Sequence, residues 1–509
     1  MHTHNTDRTG RRVAAMSRAS DTRQPEADPR AVPSRVGRRH FLGTAAALAA
    51  GSVAATATRA QERDRRPNVL FILTDDQRWD TLSCAGNEIL KTPNIDRIAR
   101  EGFYFKNAFV TTSICAPSRA SFLCGKYAYR HGLRDLGMVL AQEQKTFPEL
   151  LREAGYRTGY VGKYHVGDDA HGQRRFDYWG GFAGQGRYEQ PDGQHLTDVL
   201  TQRAVSFLRE QGERPFCLAV GYKAPHCQDG ARPEFIYAPR FGKLFEDVTI
   251  PYPPTYEGTY EKKPECVRNS LGRTRYGWRH ATPSMFQETA KGYYRLIAGV
   301  DEGVGQILQT LDDIGVTDRT VIIYASDNGF FLGEHGMAGK WLMYEESIRV
   351  PLLMRYPALR GQAADAWLGQ QAVPHVLEQM ALSIDIAPTI LDIAGVPIPP
   401  DMQGRSLRRL CEGAADANWR TAYLYEYFGG HNVPPIEGVR TEEWKYIKYL
   451  PEKERGVVEE LYHIAEDPDE RADLLADPAH ADVLGVMREL LQQLKFETRA
   501  GAGSESRRG

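Results

Sequence analysis

The first apolar run of the chain reads Asn68-Val-Leu-Phe-Ile-Leu-Thr-Asp-Asp76. Its apolar side chains do not alternate with polar ones, which is typical of a strand that is buried on both faces of a sheet. Runs of the same kind occur at residues 156–162, 215–222, 320–325 and 350–355. We therefore predict that these segments form the centre of one buried sheet.

Helical patterns separate these predicted strands. Residues 92–102 have a proline near their start and a glycine at their end, as helices often do. Further helical patterns cover residues 146–154, 293–311 and 385–394. Strands that alternate with helices predict an α/β fold, in which a large, mixed but mainly parallel sheet is sandwiched by helices.

The pattern changes after residue 400. Short strand patterns at residues 421–427, 438–449 and 459–462 follow one another closely, and a helical pattern covers residues 481–494. This arrangement predicts a smaller C-terminal α+β domain on an antiparallel sheet. We place the main domain at residues 61–400, the C-terminal subdomain at 401–498 and a loose tail at 499–509.

Composition and charge exclude some functions. The 509 residues carry a formal net charge of −2, so the chain lacks the broad positive field that nucleic-acid binding requires. The seven cysteines include no Cys-x-x-Cys pair, which argues against a zinc ribbon or a disulfide-exchange site. Because seven is an odd number, at least one cysteine is unpaired or modified.

We interpret residues 1–60 as a leader and an export signal. Residues 1–34 are polar and are predicted to be disordered. The run Arg38-Arg-His-Phe-Leu42 then precedes a short, alanine-rich apolar segment at 43–55, which resembles a twin-arginine export signal. That segment is too short to span a membrane. We therefore expect the twin-arginine translocase as a partner, and a periplasmic or secreted mature protein without a stable membrane span.

Polar side chains follow three of the predicted strands. Asp75 and Asp76 end the first predicted strand. Residues 223–226 follow the strand at 215–222, and Asp327 and Asn328 follow the strand at 320–325. Because ligands in such sheets bind beyond the carboxyl ends of the strands, we expect these residues to lie together. Three carboxylates and an amide suit a hard cation with oxygen ligands, calcium before magnesium. Either pair by itself would also suit a helix cap or a turn.

The segment Thr112-Ser-Ile-Cys-Ala-Pro-Ser-Arg119 carries the most specific signal in the chain. Its run Cys-x-Pro-Ser-Arg, from Cys115 to Arg119, resembles the signature of the type I sulfatase family. Members of that family have an alkaline-phosphatase-like fold, and a formylglycine-generating enzyme oxidises this cysteine to formylglycine. One hydroxyl of the hydrated aldehyde attacks sulfur, and the other later expels sulfate. By itself, the motif would also fit a structural cysteine beside a turn proline.

The resemblance implies roles for the remaining polar residues. It assigns one calcium site to Asp75, Asp76, Asp327 and Asn328, and the ion would also contact the nucleophile at residue 115. Such an ion would polarise the oxygen atoms of the sulfate group.

The resemblance also implies that fixed positive charges bind the sulfate oxygens, and the residues concerned are Arg119, Lys163 and Lys340. His226 would protonate the leaving alcohol, and His165 would act as the base that helps the nucleophile release sulfate. Lys223 and His335 are expected to contact the substrate, although a structural role would suit His335 equally well.

Together these observations predict a sulfuric ester hydrolase that removes sulfate from a sulfated carbohydrate. Residues 332–349 look more like those of glycan sulfatases, including enzymes that act on N-acetylglucosamine 6-sulfate, than like those of simple arylsulfatases. Two alternatives stay open at this point. One is a phosphate or phosphonate monoester hydrolase on the same fold, and the other is a non-catalytic protein that binds sulfated glycans, which would follow if Cys115 is not modified.

Overall fold

The computed structural model describes residues 66–210, 212, 214–359, 375–414, 416, 418–450 and 456–500. The described residues belong to one compact unit of the chain. The predicted leader and export signal, residues 1–60, and most of the predicted tail lie outside the described residues.

The described strands are numbered in chain order. They are β1 (Asn68–Asp75), β2 (Phe103–Phe105), β3 (Ala108–Phe109), β4 (Arg157–Lys163), β5 (Tyr178–Phe182), β6 (Phe216–Pro225), β7 (Thr320–Ser326), β8 (Phe331–Leu332), β9 (Ala338–Gly339), β10 (Leu352–Arg355), β11 (His375–Leu377), β12 (Ala381–Leu382), β13 (Ala422–Tyr427), β14 (Ile436–Thr441), β15 (Trp444–Tyr449) and β16 (Val458–His463).

The described α-helices are numbered in the same way. They are α1 (Pro93–Arg100), α2 (Cys115–Cys124), α3 (Ala128–His131), α4 (Phe147–Glu153), α5 (Asp169–Arg175), α6 (Leu196–Arg209), α7 (Glu265–Arg268), α8 (Leu271–Arg279), α9 (Pro283–Asp313), α10 (Glu345–Ile348), α11 (Ile386–Ile393), α12 (Arg408–Cys411) and α13 (Ala481–Arg499).

The main sheet has the strand order β11-β2-β10-β7-β1-β6-β4-β5. Strand β10 runs antiparallel to both of its neighbours, β2 and β7, whereas the other pairings in this sheet are parallel. The predicted fold class, a mixed but mainly parallel sheet with helices, is therefore confirmed.

Strand β1 lies at the centre of this sheet, and both of its faces are buried. The side chains of Val69, Phe71 and Leu73 belong to one apolar cluster, whereas those of Leu70 and Ile72 belong to a second cluster. Because successive side chains of a strand point to opposite faces, apolar cover on both faces requires an uninterrupted apolar run. This requirement explains why the apolar run at residues 69–73 is uninterrupted.

A second sheet contains strands β13-β14-β15-β16 in chain order, and all of its pairings are antiparallel. Helix α13 packs against β13, β14 and β15. The prediction of an antiparallel C-terminal sheet followed by a helix is therefore confirmed, and the helix continues to Arg499.

Three helices lie where the sequence shows no clear helical pattern. Helices α7 and α8 lie in residues 252–284, which have no clear periodic pattern, and α2 starts at Cys115 itself. The third residue of α2 is Pro117, and proline is tolerated in the first turn of a helix because the amide hydrogen there has no intrahelical partner. Among the described residues, no helix is both long and apolar enough to cross a bilayer.

Candidate active site

The carboxyl ends of four neighbouring strands carry polar residues. In the order β7-β1-β6-β4, Asp327 follows β7, Asp75 ends β1, Lys223 lies near the end of β6, and Lys163 ends β4. Since these four strands are parallel, their carboxyl ends meet at one edge of the sheet. The topology thus brings together residues that are separated by up to 252 positions in the chain.

Two residues just beyond these strand ends have left-handed backbone conformations. The φ angle of Asp76 is 64° and that of His165 is 58°. Residues other than glycine adopt such angles at a cost of about 1 to 3 kcal/mol, and these conformations cluster at functional sites.

Cys115 is the first residue of α2 and is 1% exposed. Its Sγ atom lies 2.8 Å from Nζ of Lys340 and 3.5 Å from Oδ1 of Asp75. Burial, followed by the negative charge of Asp75, raises the pKa of the Cys115 thiol to about 12. The unmodified thiol is therefore protonated at neutral pH, and a protonated thiol is a poor nucleophile.

Arg119 lies one helical turn after Cys115, so both side chains are on the same side of α2. Its Nε atom donates to Oδ2 of Asp327 at 2.7 Å, and its Nη1 atom donates to the backbone carbonyl of Lys163 at 2.5 Å. Its Nη2 atom is 3.6 Å from Oδ2 of Asp75. The spacing of the cysteine motif thus places a fixed positive charge beside the cysteine.

Two of the three carboxylates that meet at these strand ends are paired with lysines. Lys163 donates to Asp75, and Lys340 donates to Asp76. Burial would raise the pKa of Asp75, but Lys163 and other nearby cations bring it well below its ordinary value. Burial raises the pKa of Asp76 despite the opposing charge of Lys340. Burial, followed by the charge of Asp75, raises the pKa of Asp327 to about 6.

These residues suit a cation with oxygen ligands. The amide Nδ2 of Asn328 donates to Oδ1 of Asp76 at 2.6 Å. Its Oδ1 atom is buried and has no hydrogen-bond partner among the described residues. A buried acceptor without a donor is costly, and an ion held with Asp75, Asp76 and Asp327 would satisfy it. The donor set therefore fits calcium.

Two histidines border the cluster. The Nδ1 atom of His226 lies 2.6 Å from the carbonyl oxygen of Cys227, and its Nε2 atom lies 3.6 Å from Oδ2 of Asp76. The Nδ1 atom of His165 is buried and has no hydrogen-bond partner in the described part of the chain. Burial, followed by the charge of Lys163, lowers the pKa of His165 to about 2, and burial also lowers the pKa of His226 well below its usual value.

The family is decided by comparison with known proteins. A family model described as Sulfatase matches residues 67–396, and a second model, described as N-sulphoglucosamine sulphohydrolase, C-terminal, matches residues 333–497. The chain belongs to the sulfatase family. It is an enzyme of the sulfuric ester hydrolase class, as the cysteine motif predicts.

Known sulfatases are similar to this sulfatase over most of its length. An N-acetylglucosamine-6-O-sulfatase from Bacteroides thetaiotaomicron is 32% identical over 526 aligned residues, which cover 88% of this chain and 89% of the relative. A structure solved with its substrate D-glucosamine-2-N,6-O-disulfate gives a TM-score of 0.74 at 28% identity and covers 87% of this chain and 100% of that one. A phosphonate monoester hydrolase from Agrobacterium radiobacter gives 0.70 at 23% identity and covers 85% of this chain and 96% of that one, a likeness that shows the fold alone.

This sulfatase brings most of the predicted site residues into the one cluster, Lys223 lies at its border, and His335 lies apart from it. The Nζ atom of Lys223 donates to the carbonyl of Cys227 at 3.2 Å, and burial, followed by the charge of Lys163, lowers its pKa to about 8. His335 is fully buried, and its ring lies 4.8 Å from that of Tyr344. The described contacts do not connect His335 with the cluster, so its contact with substrate stays a prediction.

One residue of the site has no motif in the sequence. The Nζ atom of Lys163 donates to Oε1 of Gln185 at 2.6 Å. Gln185 lies in the loop between β5 and α6, at residues 183–195, and only the position of that loop beside the strand ends could have pointed to it.

Proposed function

We propose that this sulfatase is an exported, calcium-dependent enzyme that removes sulfate from a sulfated carbohydrate, with a formylglycine made from Cys115. The observation that carries the proposal is the contact of the Cys115 side chain with both Asp75 and Lys340 inside a buried cluster of carboxylates and cations. The names of its relatives favour a 6-sulfated glucosamine unit as the substrate.

Positive side chains converge on Cys115. Lys340 contacts the sulfur directly, while Arg119 and Lys163 surround the neighbouring Asp75. Such charges, held in place before the reaction, stabilise the negative charge that is redistributed over sulfate oxygens in the transition state, and they need no reorganisation. Arg119 is itself held by Asp327 and by a backbone carbonyl, so its guanidinium is fixed in direction.

The side chains of Asp75, Asp76, Asp327 and Asn328 would hold the calcium ion. When bound, the ion supplies Lewis-acid polarisation of the sulfate oxygens. The formylglycine hydrate supplies the hydroxyl nucleophile, which the protonated thiol of Cys115 does not provide.

The orientation of His226 fits proton transfer to the leaving alcohol. Because its Nδ1 atom is occupied by the carbonyl of Cys227, its Nε2 atom faces the cluster. An anionic ester bound beside the ring would raise the pKa of His226 and so favour a proton on Nε2. This nitrogen then gives its proton to the alcohol oxygen. His165 remains neutral and has an unpartnered Nδ1 atom, which fits a base.

Mass analysis of the peptide that carries residue 115 tests the nucleophile. Conversion of the thiol to the aldehyde lowers the peptide mass by about 18 Da. We also expect a Cys115→Ala enzyme to lose activity by at least about a thousandfold, whereas Cys266→Ala, at a partly buried cysteine of α7, keeps it. Full activity in Cys115→Ala would contradict the covalent mechanism. An unmodified peptide in an inactive protein would favour the sulfated-glycan-binding alternative.

Chelation tests the metal. Treatment with a chelator should abolish sulfate release and lower the melting temperature, because the buried carboxylates would repel one another without the ion. Added calcium should restore both properties, and magnesium should restore them less well. A chelated enzyme that keeps its activity and its melting temperature would exclude the calcium site.

A phosphate or phosphonate monoester hydrolase remains the second candidate, because the Agrobacterium enzyme with that activity has the same fold. Turnover of aryl sulfate and aryl phosphate should be compared with the same preparation. We expect kcat/KM to be higher for the sulfate, and the reverse order would favour the second candidate.

Export is tested separately from catalysis. We expect replacement of Arg38 and Arg39 by lysine to retain the protein inside the cell, because the paired arginines are read by the translocase. Unchanged export of this variant would contradict the signal.

A further inference from the structure

Cys115, Asp75, Asp76, Lys163 and Lys340 form what we call the reaction cluster. A depression of about 400 Å³ opens beside it. It is lined by residues 185–187, Lys223 and residues 227–231. Gln185 connects it to the cluster, since this side chain accepts a hydrogen bond from Lys163. If the sulfate group lies at the cluster, as the proposed function requires, the sugar that carries it extends into this depression.

Asp229, which lines this depression, forms an ion pair with Arg275 behind it. The Nη2 atom of Arg275 lies 3.0 Å from Oδ1 of Asp229, and that of Arg279 lies 3.6 Å from the same oxygen. The thiol of Cys227 also donates to Oδ1, at 3.4 Å. The side chain of Asp229 is nevertheless 49% exposed. It therefore faces the open space while one of its oxygens is held in place.

The ion pair of Asp229 and Arg275 leaves one carboxylate oxygen and two guanidinium nitrogens without a hydrogen bond among the described residues. In the described part of the chain, all recorded contacts of Asp229 use Oδ1, so its Oδ2 atom is available. Among the residues that the structure describes, the Nε atom of Arg275 is buried without a hydrogen-bond partner, and its Nη1 atom makes no hydrogen bond. Burial would raise the pKa of Asp229, but Arg275 lowers it below its ordinary value. The carboxylate is thus ionised and can only accept hydrogen bonds.

Arg275 is fixed relative to the catalytic lysine. Its guanidinium lies 5.2 Å from the ring of Trp341, which directly follows Lys340. The ring of Trp341 is itself stacked on that of His431, with 4.9 Å between the ring centres. Only 13% of the Arg275 side chain is exposed. A substrate contact with Arg275 would therefore be made at a constant distance from the reacting group.

We propose that Asp229 and Arg275 form the specificity-determining pair of this sulfatase and recognise two adjacent hydroxyl groups of the sugar. A hydroxyl group both donates and accepts, so neighbouring hydroxyls match a carboxylate that accepts beside a guanidinium that donates. A second anionic substituent on the sugar fits less well, because the charge of Asp229 already neutralises that of Arg275 and would repel the substituent. The inference rests on the proposed function, since it assumes a sulfated sugar at the cluster.

The test uses N-acetylglucosamine 6-sulfate and its 3-deoxy and 4-deoxy analogues. The wild-type enzyme should lose kcat/KM by about 10- to 100-fold on the analogue that lacks a recognised hydroxyl, because the charged partner is left without its hydrogen bond. Asp229→Asn and Arg275→Gln should show a similar loss on the parent sugar, and little further loss on the deoxy analogue. This non-additivity identifies a direct contact.

The control is Asp198→Asn, at a surface carboxylate that pairs with Arg240 at 2.6 Å, outside the depression. It should keep the wild-type kcat/KM on each substrate. Equal turnover of all three sugars by the wild-type enzyme would overturn the proposal, whether or not the variants fold. So would an Arg275→Gln enzyme that loses activity only on N-sulfated glucosamine 6-sulfate, because this result would assign Arg275 to a second anion. Absence of sulfate release from every sugar would instead contradict the proposed function.

Discussion

Gly221 decides how closely Arg119 can approach the sheet. This residue of β6 pairs with Leu73 of β1 and with Gly162 of β4. A Cβ atom at position 221 would lie 2.5 Å from the carbonyl oxygen of Lys163 and 3.0 Å from Nη1 of Arg119. The absence of a side chain therefore lets the guanidinium lie against two strands at once.

We expect Gly221→Ala to lower the stability by about 1 to 3 kcal/mol, the usual cost of overpacking. It should also lower kcat/KM by at least about tenfold, because a shift of Arg119 misplaces a charge at the reaction site. Urea unfolding and steady-state kinetics measure the two effects. The matched control is Gly277→Ala in α8, where a Cβ atom would meet no atom within 4 Å. Equal behaviour of the two variants would contradict this account of Gly221.

The candidate site residues that belong to a short sequence motif could be predicted from the sequence, whereas those outside any motif could not. Cys115 and Arg119 lie one helical turn apart, so their spacing in the sequence already implies their proximity. Asp229 and Arg275 are separated by 46 positions, and each lies in a segment with no characteristic pattern. Their contact follows from how the turn after β6 and helix α8 pack together, which depends on tertiary structure rather than on local spacing.

At the scale of elements, helix α2 depends on a buried histidine at the end of α3. The Nε2 atom of His131 lies 3.1 Å from Oγ of Ser121 in α2, and its Nδ1 atom accepts from the amide of Leu133 at 3.2 Å. The side chain is 2% exposed. Burial lowers the pKa of His131 to about 3 in the folded protein.

This lowered pKa predicts a loss of stability in acid. The unfolded chain takes up the proton at about pH 6.5 and the folded chain only at about pH 3, so protons favour the unfolded state between these values. The stabilisation is complete above pH 6.5 and is lost as the pH falls toward 3. About 2 to 3 kcal/mol should be lost between pH 6.5 and 4.5.

Denaturant unfolding at these two pH values measures the loss. His131→Asn keeps an acceptor for the amide of Leu133 but does not titrate, so its stability should depend less on pH. The partly exposed His480 provides the control, since His480→Asn should retain the pH dependence of the wild-type protein. Identical pH dependence in His131→Asn and the wild type would disprove the assignment to His131.

For the molecule as a whole, the C-terminal sheet supports the reaction cluster. The hydroxyl of Tyr425, in β13, donates to the carbonyl of Trp341 at 2.6 Å and accepts from the amide of Ser113 at 3.3 Å. Ser113 lies two residues before Cys115, and Trp341 directly follows Lys340. One side chain from the second sheet therefore joins the two segments that carry Cys115 and Lys340.

Removal of this hydroxyl should affect both stability and catalysis. Tyr425→Phe leaves a buried carbonyl and a buried amide without partners, and it should cost about 1 to 3 kcal/mol. It should also lower kcat by roughly tenfold, since Lys340 and Cys115 would no longer be held together. Thermal unfolding and steady-state kinetics give the two readouts.

Tyr423, in the same strand, provides a matched control. It is equally buried, but its hydroxyl has no hydrogen-bond partner among the described residues. Tyr423→Phe should therefore be neutral or slightly stabilising and fully active. An active and stable Tyr425→Phe enzyme would show that the C-terminal sheet does not position the cluster.

The sequence by itself determined the central strands, the fold class and most of the polar residues that meet beside Cys115. It could do so because burial on both faces leaves continuous apolar runs, and because parallel strands bring the residues that follow them to one edge. Only the tertiary structure decided which loops complete the site and how the C-terminal sheet supports it. These contacts join distant positions such as Asp229 and Arg275, or Ser113 and Tyr425, and no local pattern encodes a contact that packing alone creates.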